Sequence, residues 1–122
     1  MKTKVTSVEA LYNSREGTGE AVLDEMVSYL RKTRIISVAD FATILDVSPY
    51  ELEMMVRMLT GMTPRELINR WRLLQARELL HTPPFDTLPR SERLTAVAHR
   101  CGWRNYRVLL NVARRYGFEL EK

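Results

Sequence analysis

Cysteine occurs once in this 122-residue chain, histidine twice, and glycine and proline five times each. A lone Cys101 makes no internal disulfide, which fits a reducing compartment, so the expected location is the cytoplasm. One cysteine and two histidines are too few for a Cys/His metal cluster, and no metal is expected. No apolar run approaches the roughly 18 residues of a membrane span, and the N-terminus lacks the apolar core of a signal peptide. There is no Gly-rich phosphate loop, no carboxylate constellation and no nucleophile with an adjacent base. His81 and His99 have no evident catalytic partners. The sequence therefore predicts no catalytic residue, no cofactor and no small-molecule ligand, and an enzyme reading is set aside.

What is present is an apolar fraction of 45%, too high for disorder, arranged with helical rather than strand periodicity. The expected class is all-α. Residues 1–19 read as an N-terminal tail in which VEALYN can form a helical turn. From Glu20 the pattern Val22, Met26, Tyr29, Leu30 gives an amphipathic helix to about Lys32. Ser37 starts a second, with Phe41, Ala42 and Leu45 on one face, and Asp46-Val47 make a short turn. Ser48-Pro49-Tyr50-Glu51 then opens a third: serine as N-cap, proline at the first helical position and glutamate three residues after the cap. Thr63-Pro64-Arg65-Glu66 repeats that device and opens a long helix to Leu80. His81–Glu92, with Pro83, Pro84 and Pro89, reads as a loop. Leu94–Cys101 is a fifth helix, Gly102 breaks it, and Asn105 to about Tyr116 is a sixth. Residues 119–122 read as a C-terminal tail.

Shifting the chain by 56 residues superimposes two similar segments. Val38 meets Leu94, Phe41 meets Val97, Ala42 meets Ala98, Leu45 meets Cys101 and Asp46 meets Gly102. Beyond the turn Tyr50 meets Tyr106, Val56 meets Val112 and Gly61 meets Gly117. Each copy reads as helix, tight turn, helix. The alanine admits close helix approach, and four residues later comes a type that tolerates positive φ. This is the grammar of a helix-turn-helix, written twice.

The two copies carry opposite charge. Residues 36–60 hold four acids and one base, net −3, whereas residues 93–115 hold six arginines and no acid, net +6. The whole chain is +4. Arginine clamps phosphate and makes bidentate contacts to guanine, and residues at the start of a recognition helix touch base edges. In the second copy Arg104, Asn105, Tyr106 and Arg107 are therefore candidate DNA contacts, with Arg100, Arg114 and Arg115 around them. Asn105 can pair with adenine or serve as the N-cap of its helix. In the first copy the exposed positions, and so the candidate DNA contacts, should be Tyr50, Glu53, Met54 and Arg57. Glu51 is read as a capping residue, and Glu53 either accepts from a cytosine amino group or repels phosphate. Met55 and Met58 are expected in the core, as are Trp71, Trp103 and Cys101. Arg72 is expected as a buried-stem or salt-bridging residue.

From about Val22 to Gly117 the chain resembles the DNA-binding domain of the AraC/XylS family of bacterial transcription regulators. The stretch TGMTPRELINRWRLLQARELL carries the resemblance most specifically, through its GMTP entry, Arg72 and Ala76. SVADFATILDVSPYELEMMVRMLTG is similar to that family's first helix-turn-helix, and LTAVAHRCGW to its second through Ala98, Gly102 and Trp103. The resemblance implies an all-α fold with two helix-turn-helix subdomains in residues 20–118, joined by a long linker helix. It implies sequence-specific regulation of transcription, double-stranded DNA as partner, and RNA polymerase or another regulator as a further one. The family's sensory domain is expected to be absent. With both motifs engaged, the recognition helices would enter successive major-groove segments about 34 Å apart, and one chain would read a non-palindromic site. The alternative is a degenerate helix-turn-helix module acting through protein–protein interaction. The chain departs from the family at Glu53 and Met54, where basic or polar residues are usual. It departs again in a one-residue shortening between Gly102 and Gly117, in the residues after Gly117 and in the longer loop before Leu94.

Overall fold

A computed structural model of the chain describes residues 7–14, 17–32 and 37–121. Their regular structure is helical: α1 (Val8–Asn13), α2 (Ala21–Lys32), α3 (Val38–Leu45), α4 (Pro49–Thr60), α5 (Pro64–Leu80), α6 (Arg90–Arg100) and α7 (Tyr106–Arg115), with a 3₁₀ turn at Phe85–Thr87. No helix among the described residues is long and apolar enough to cross a membrane. The chain forms two compact units, Met1–Trp71 and Arg72–Lys122, and the division falls inside α5.

In the first unit the apolar stripes close around Leu23, Met26 and Leu30 of α2, Phe41 and Ala42 of α3, and Leu52 and Val56 of α4, all buried. Capping fixes where these helices begin. Ser37 Oγ accepts from Asp40 N at 3.1 Å while Asp40 Oδ2 accepts from Ser37 N at 3.3 Å. Ser48 and Glu51 make the same reciprocal pair at 3.1 and 3.3 Å, so Glu51 has the capping role expected of it. At the head of α5, Thr63 Oγ1 accepts from Glu66 N, and the Glu66 carboxylate takes Arg70 Nε at 2.8 Å.

The N-terminal stretch corrects the sequence reading. Residues 1–6 and 15–16 of the expected tail lie outside the described residues, but Val8–Asn13 is a helix with Val8 and Leu11 buried. Ser7 caps its start by accepting from Ala10 N. Its terminal carbonyls are satisfied from another helix: Arg31 Nη2 donates to the oxygens of Leu11, Tyr12 and Ser14 at 3.3, 3.1 and 3.1 Å. The same guanidinium lies 5.0 Å over the ring of fully buried Trp71, which Tyr12 meets edge-on at 5.0 Å. Six residues hold as a helix here because tertiary packing and an external cap supply what a single turn and a half lacks.

The second unit packs Leu73, Ala76 and Leu80 of α5 with Leu94, Val97 and Ala98 of α6, Cys101, Trp103, Leu109, Val112 and Ala113. The expected loop through Glu92 ends three residues early. Pro89 stands as N-cap and α6 begins at Arg90, a position that a proline tolerates because no donor is required there. The expected C-terminal tail is also engaged. Leu120 is buried in this core, and Glu121 makes a two-pronged pair with Arg90, 2.8 and 3.0 Å. Arg77 lies 4.7 Å over the ring of Phe118.

Candidate nucleic-acid interface

Both helix-turn-helix turns open with a residue of positive φ and the same pair of backbone hydrogen bonds. In the first, Asp46 sits at φ 56, ψ 47; in the second, Gly102 has φ 93. Val47 N donates to Ala42 O at 3.0 Å and Asp46 N to Thr43 O at 3.2 Å. Trp103 N donates to Ala98 O at 2.8 Å and Gly102 N to His99 O at 3.2 Å. The six-to-one bond back across a left-handed residue is what closes a helix end of this type. Residue types as different as aspartate and glycine serve because both tolerate positive φ. Ala42 and Ala98, paired by the 56-residue shift, are both buried, where a larger side chain would hold the helices apart.

Beyond the turn the 56-residue equivalence ends. The first turn has one residue between its left-handed residue and its cap, Ser48, and the second has two, with Asn105 as cap. From the caps onward the shift is 57. Leu52 and Leu109 are both buried, as are Val56 and Ala113. The pairing of Tyr50 with Tyr106 therefore does not hold. Tyr106 stands where Pro49 stands and packs half-buried on the core of its unit, while the position of Tyr50 is taken by exposed Arg107. Continuing the register, Met54 matches Asn111, Arg57 matches Arg114 and Met58 matches Arg115.

α7 buries Leu109, Val112 and Ala113 on one side. The other side presents Arg107, Asn111 and Arg114, all exposed, at spacings of four and three that place them in one stripe. Arg100, Arg104 and Arg115 are exposed beside it. Glu53–Arg57, Glu66–Arg70 and Arg90–Glu121 form salt bridges elsewhere. Among the described residues none joins Arg100, Arg104, Arg107, Arg114 or Arg115 to a carboxylate. Five exposed guanidiniums without counter-charges are left for anionic groups of a ligand. Asn111 was missed in the sequence, although its spacing from Arg107 and Arg114 is itself the signal.

The start of α7 is built differently from a free reading head. Asn105 Oδ1 accepts from Val108 N at 3.0 Å, so of its two possible roles the structure displays the cap. His99 Nε2 lies 2.9 Å from the carbonyl oxygen of Arg104. That contact ties the end of the turn to the end of α6 and gives His99 a local partner. Cys101 is buried, and burial pushes its thiol up to about 11, which leaves it protonated and unreactive at neutral pH.

The first motif exposes Tyr50, Glu53, Met54 and Arg57 as expected, and its one cation, Arg57, lies 3.7 Å from Glu53. Met58, expected in the core, is 64% exposed. It lies eight residues after Tyr50 and four after Met54, so helical spacing places it with them rather than with Leu52 and Val56. Met55 is half-buried, Trp71 and Trp103 are buried as expected, and Arg72 is half-buried.

A family model described as a helix-turn-helix domain matches residues 41–117. The HTH-type transcriptional activator RhaS of Enterobacter sp. (strain 638) is 33% identical to the chain over 100 residues. The match takes in 79% of this chain and 31% of that relative, so the chain spans under a third of its length. No solved structure gives a significant match.

Proposed function

The chain belongs to the AraC/XylS type of helix-turn-helix domain, and on that premise we propose that it regulates transcription by binding duplex DNA through α7. The observation that carries this reading is the stripe of Arg107, Asn111 and Arg114, flanked by Arg100, Arg104 and Arg115, with no carboxylate paired to any of these arginines among the described residues. Arginines at the edges of such a stripe neutralise phosphates and set the register. Groups at its centre meet base edges, where Arg107 and Arg114 suit guanine and Asn111 suits adenine. RNA polymerase or another regulator as a further partner, and a cytoplasmic location, belong to the same proposal.

Fluorescence anisotropy with duplex DNA tests it. If the three flanking arginines, Arg100, Arg104 and Arg115, neutralise phosphates, log K falls with log salt at a slope of about −2.7, and affinity drops about 40-fold between roughly 50 and 200 mM. Replacing two of these phosphate-bound arginines, as in Arg100→Ala/Arg115→Ala, flattens the slope by up to about 1.8. A folded protein that fails to bind duplex DNA even at low salt would end this reading and leave the protein-binding alternative.

A further inference from the structure

Among the described residues the exposed large apolar side chains are Tyr50, Met54 and Met58, at 71%, 51% and 64% exposure. All three lie on α4, spaced by four, opposite the buried face of Leu52, Val56 and Thr60. A helix-turn-helix that met DNA through this face would set two thioethers, a phenol and a carboxylate against phosphate, with Glu51 and Asp46 exposed nearby. Such a face suits an apolar partner surface better than a phosphate backbone.

We propose that α4 is the interface between two copies of this chain, packed antiparallel about a two-fold axis beside Met54. The argument is self-complementarity. An axis there brings Met54 against Met54 of the second copy. Arg57, three residues beyond Met54, then lies on the same flank as Tyr50 of the second copy, which lies four residues before its own Met54. The guanidinium covers the phenol ring, as cations do over aromatic faces, and comes within reach of the second copy's Glu53. Arg57 and Glu53 are both exposed and are already loosely paired within one helix at 3.7 Å, so two copies assemble a closed set of two acids and two bases. On the opposite flank the Met58 side chain lies along the stem of the second copy's Glu51, which its capping bond holds in place.

The area sets the strength. At about 200 Å² for a large side chain, the exposed fractions leave roughly 400 Å² per copy, about 800 Å² in the pair. Stable complexes bury about 1,200 to 2,000 Å², so the dimer is weak and concentration-dependent. Two-fold symmetry has a consequence for the proposed DNA reading, on which this part alone rests: two α7 helices related by the axis read an inverted repeat, rather than the non-palindromic site of one chain.

Sedimentation equilibrium of the full chain, over roughly 5 to 500 µM, tests the interface without DNA. The weight-average mass should rise toward twice the monomer mass. Met54→Arg, at an exposed position and checked for folding by circular dichroism, should stay monomeric throughout. Arg57→Glu should weaken association at least about fivefold, and Glu53→Arg/Arg57→Glu, which swaps the charges, should restore it. A wild type that stays monomeric, or a Met54→Arg variant that associates like the wild type, would overturn the proposal. Site selection from random duplexes should return an inverted repeat for the wild type and a single half-site for Met54→Arg. Self-association lost in Met54→Arg, with no binding to any duplex, would support the interface and refute the DNA reading instead.

Discussion

Asn105 offers a sharp separation between fold and recognition, because its carboxamide can serve either. In the structure Oδ1 accepts from Val108 N at 3.0 Å, and the extended backbone of Asn105, φ −156 and ψ 171, is that of an N-cap. A bidentate contact to adenine needs the same oxygen, so the two roles compete. Asn105→Ala should cost about 1 kcal/mol of stability, the usual price of a lost cap, which moves the urea midpoint down by about 0.5 to 1 M at an m-value of roughly 1 to 2 kcal/mol/M. Asn105→Ser keeps a capping oxygen and should melt close to the wild type. If the residue is a cap and nothing more, Asn105→Ser also keeps affinity for the selected DNA site within about twofold, because no base contact of about 1 to 3 kcal/mol is removed. Urea denaturation and anisotropy on the same preparations decide it. A serine variant with wild-type stability and a loss of tenfold or more on the selected site would refute the reasoning and return Asn105 to the reading surface.

Asn111→Ala, at an exposed position, should leave stability within about 0.5 kcal/mol. In site selection it should relax preference at one base pair, at a cost of about 1 to 3 kcal/mol on the preferred site. Buried Cys101 should resist a thiol reagent at pH 8 until the protein is unfolded. Its thiol is neutral in both states below pH 9. Between 9 and about 11 the unfolded thiol ionises while the folded one stays protonated, so stability falls with rising pH by about 2 to 3 kcal/mol across that window. Cys101→Ala should lack that component in denaturation curves recorded at matched pH. At Asp46, φ 56, Asp46→Gly should be tolerated within about 1 kcal/mol, whereas Asp46→Val, β-branched in a left-handed conformation, should destabilise by about 1 to 3 kcal/mol. Leu109→Ala, at a fully buried position, should cost about 2 to 5 kcal/mol.

Much of the fold is written locally and could be read locally. Ser48-Pro49-Tyr50-Glu51 announces a helix start because the atoms that make the capping box lie within four residues. Asp46 and Gly102 announce turns because few residue types accept their φ. What could not be read were features set by distant partners. Helix α1 depends on Arg31, seventeen or more residues away, to satisfy its last carbonyls. The C-terminal residues depend on Arg90 and on the core that receives Leu120. The misplaced register beyond the second turn has a different cause. Matching residue types aligned Tyr50 with Tyr106, but the helix face is set by the cap, and one more residue in the second turn moves the cap by one. That single residue exchanges Tyr106 for Arg107 on the exposed face and brings Asn111 into the stripe with Arg107 and Arg114.

The two motifs differ in the charge of their exposed faces rather than in fold. Both turns use the same hydrogen bonds, and both second helices bury leucine four residues after the cap. The backbone is thereby specified by positions that face inward or adopt positive φ, and the outward positions are left unconstrained by folding. At those positions one helix carries Tyr50, Glu53, Met54, Arg57 and Met58, and the other carries Arg107, Asn111, Arg114 and Arg115, while Leu110 packs against the core. Glu51 does not bear on this contrast, since its carboxylate serves the cap; Glu53 does, because it draws the one exposed cation of α4 into a pair. A face whose only cation is already paired contributes little counter-ion release on DNA, while its apolar stripe remains unburied in the single chain. The second face has the reverse balance, with five cations and no paired acid. The sequence asymmetry of net −3 against net +6 thus becomes, in three dimensions, a division between a face with an exposed apolar stripe and a paired cation and a face of arginines without paired carboxylates, on two copies of one supersecondary motif.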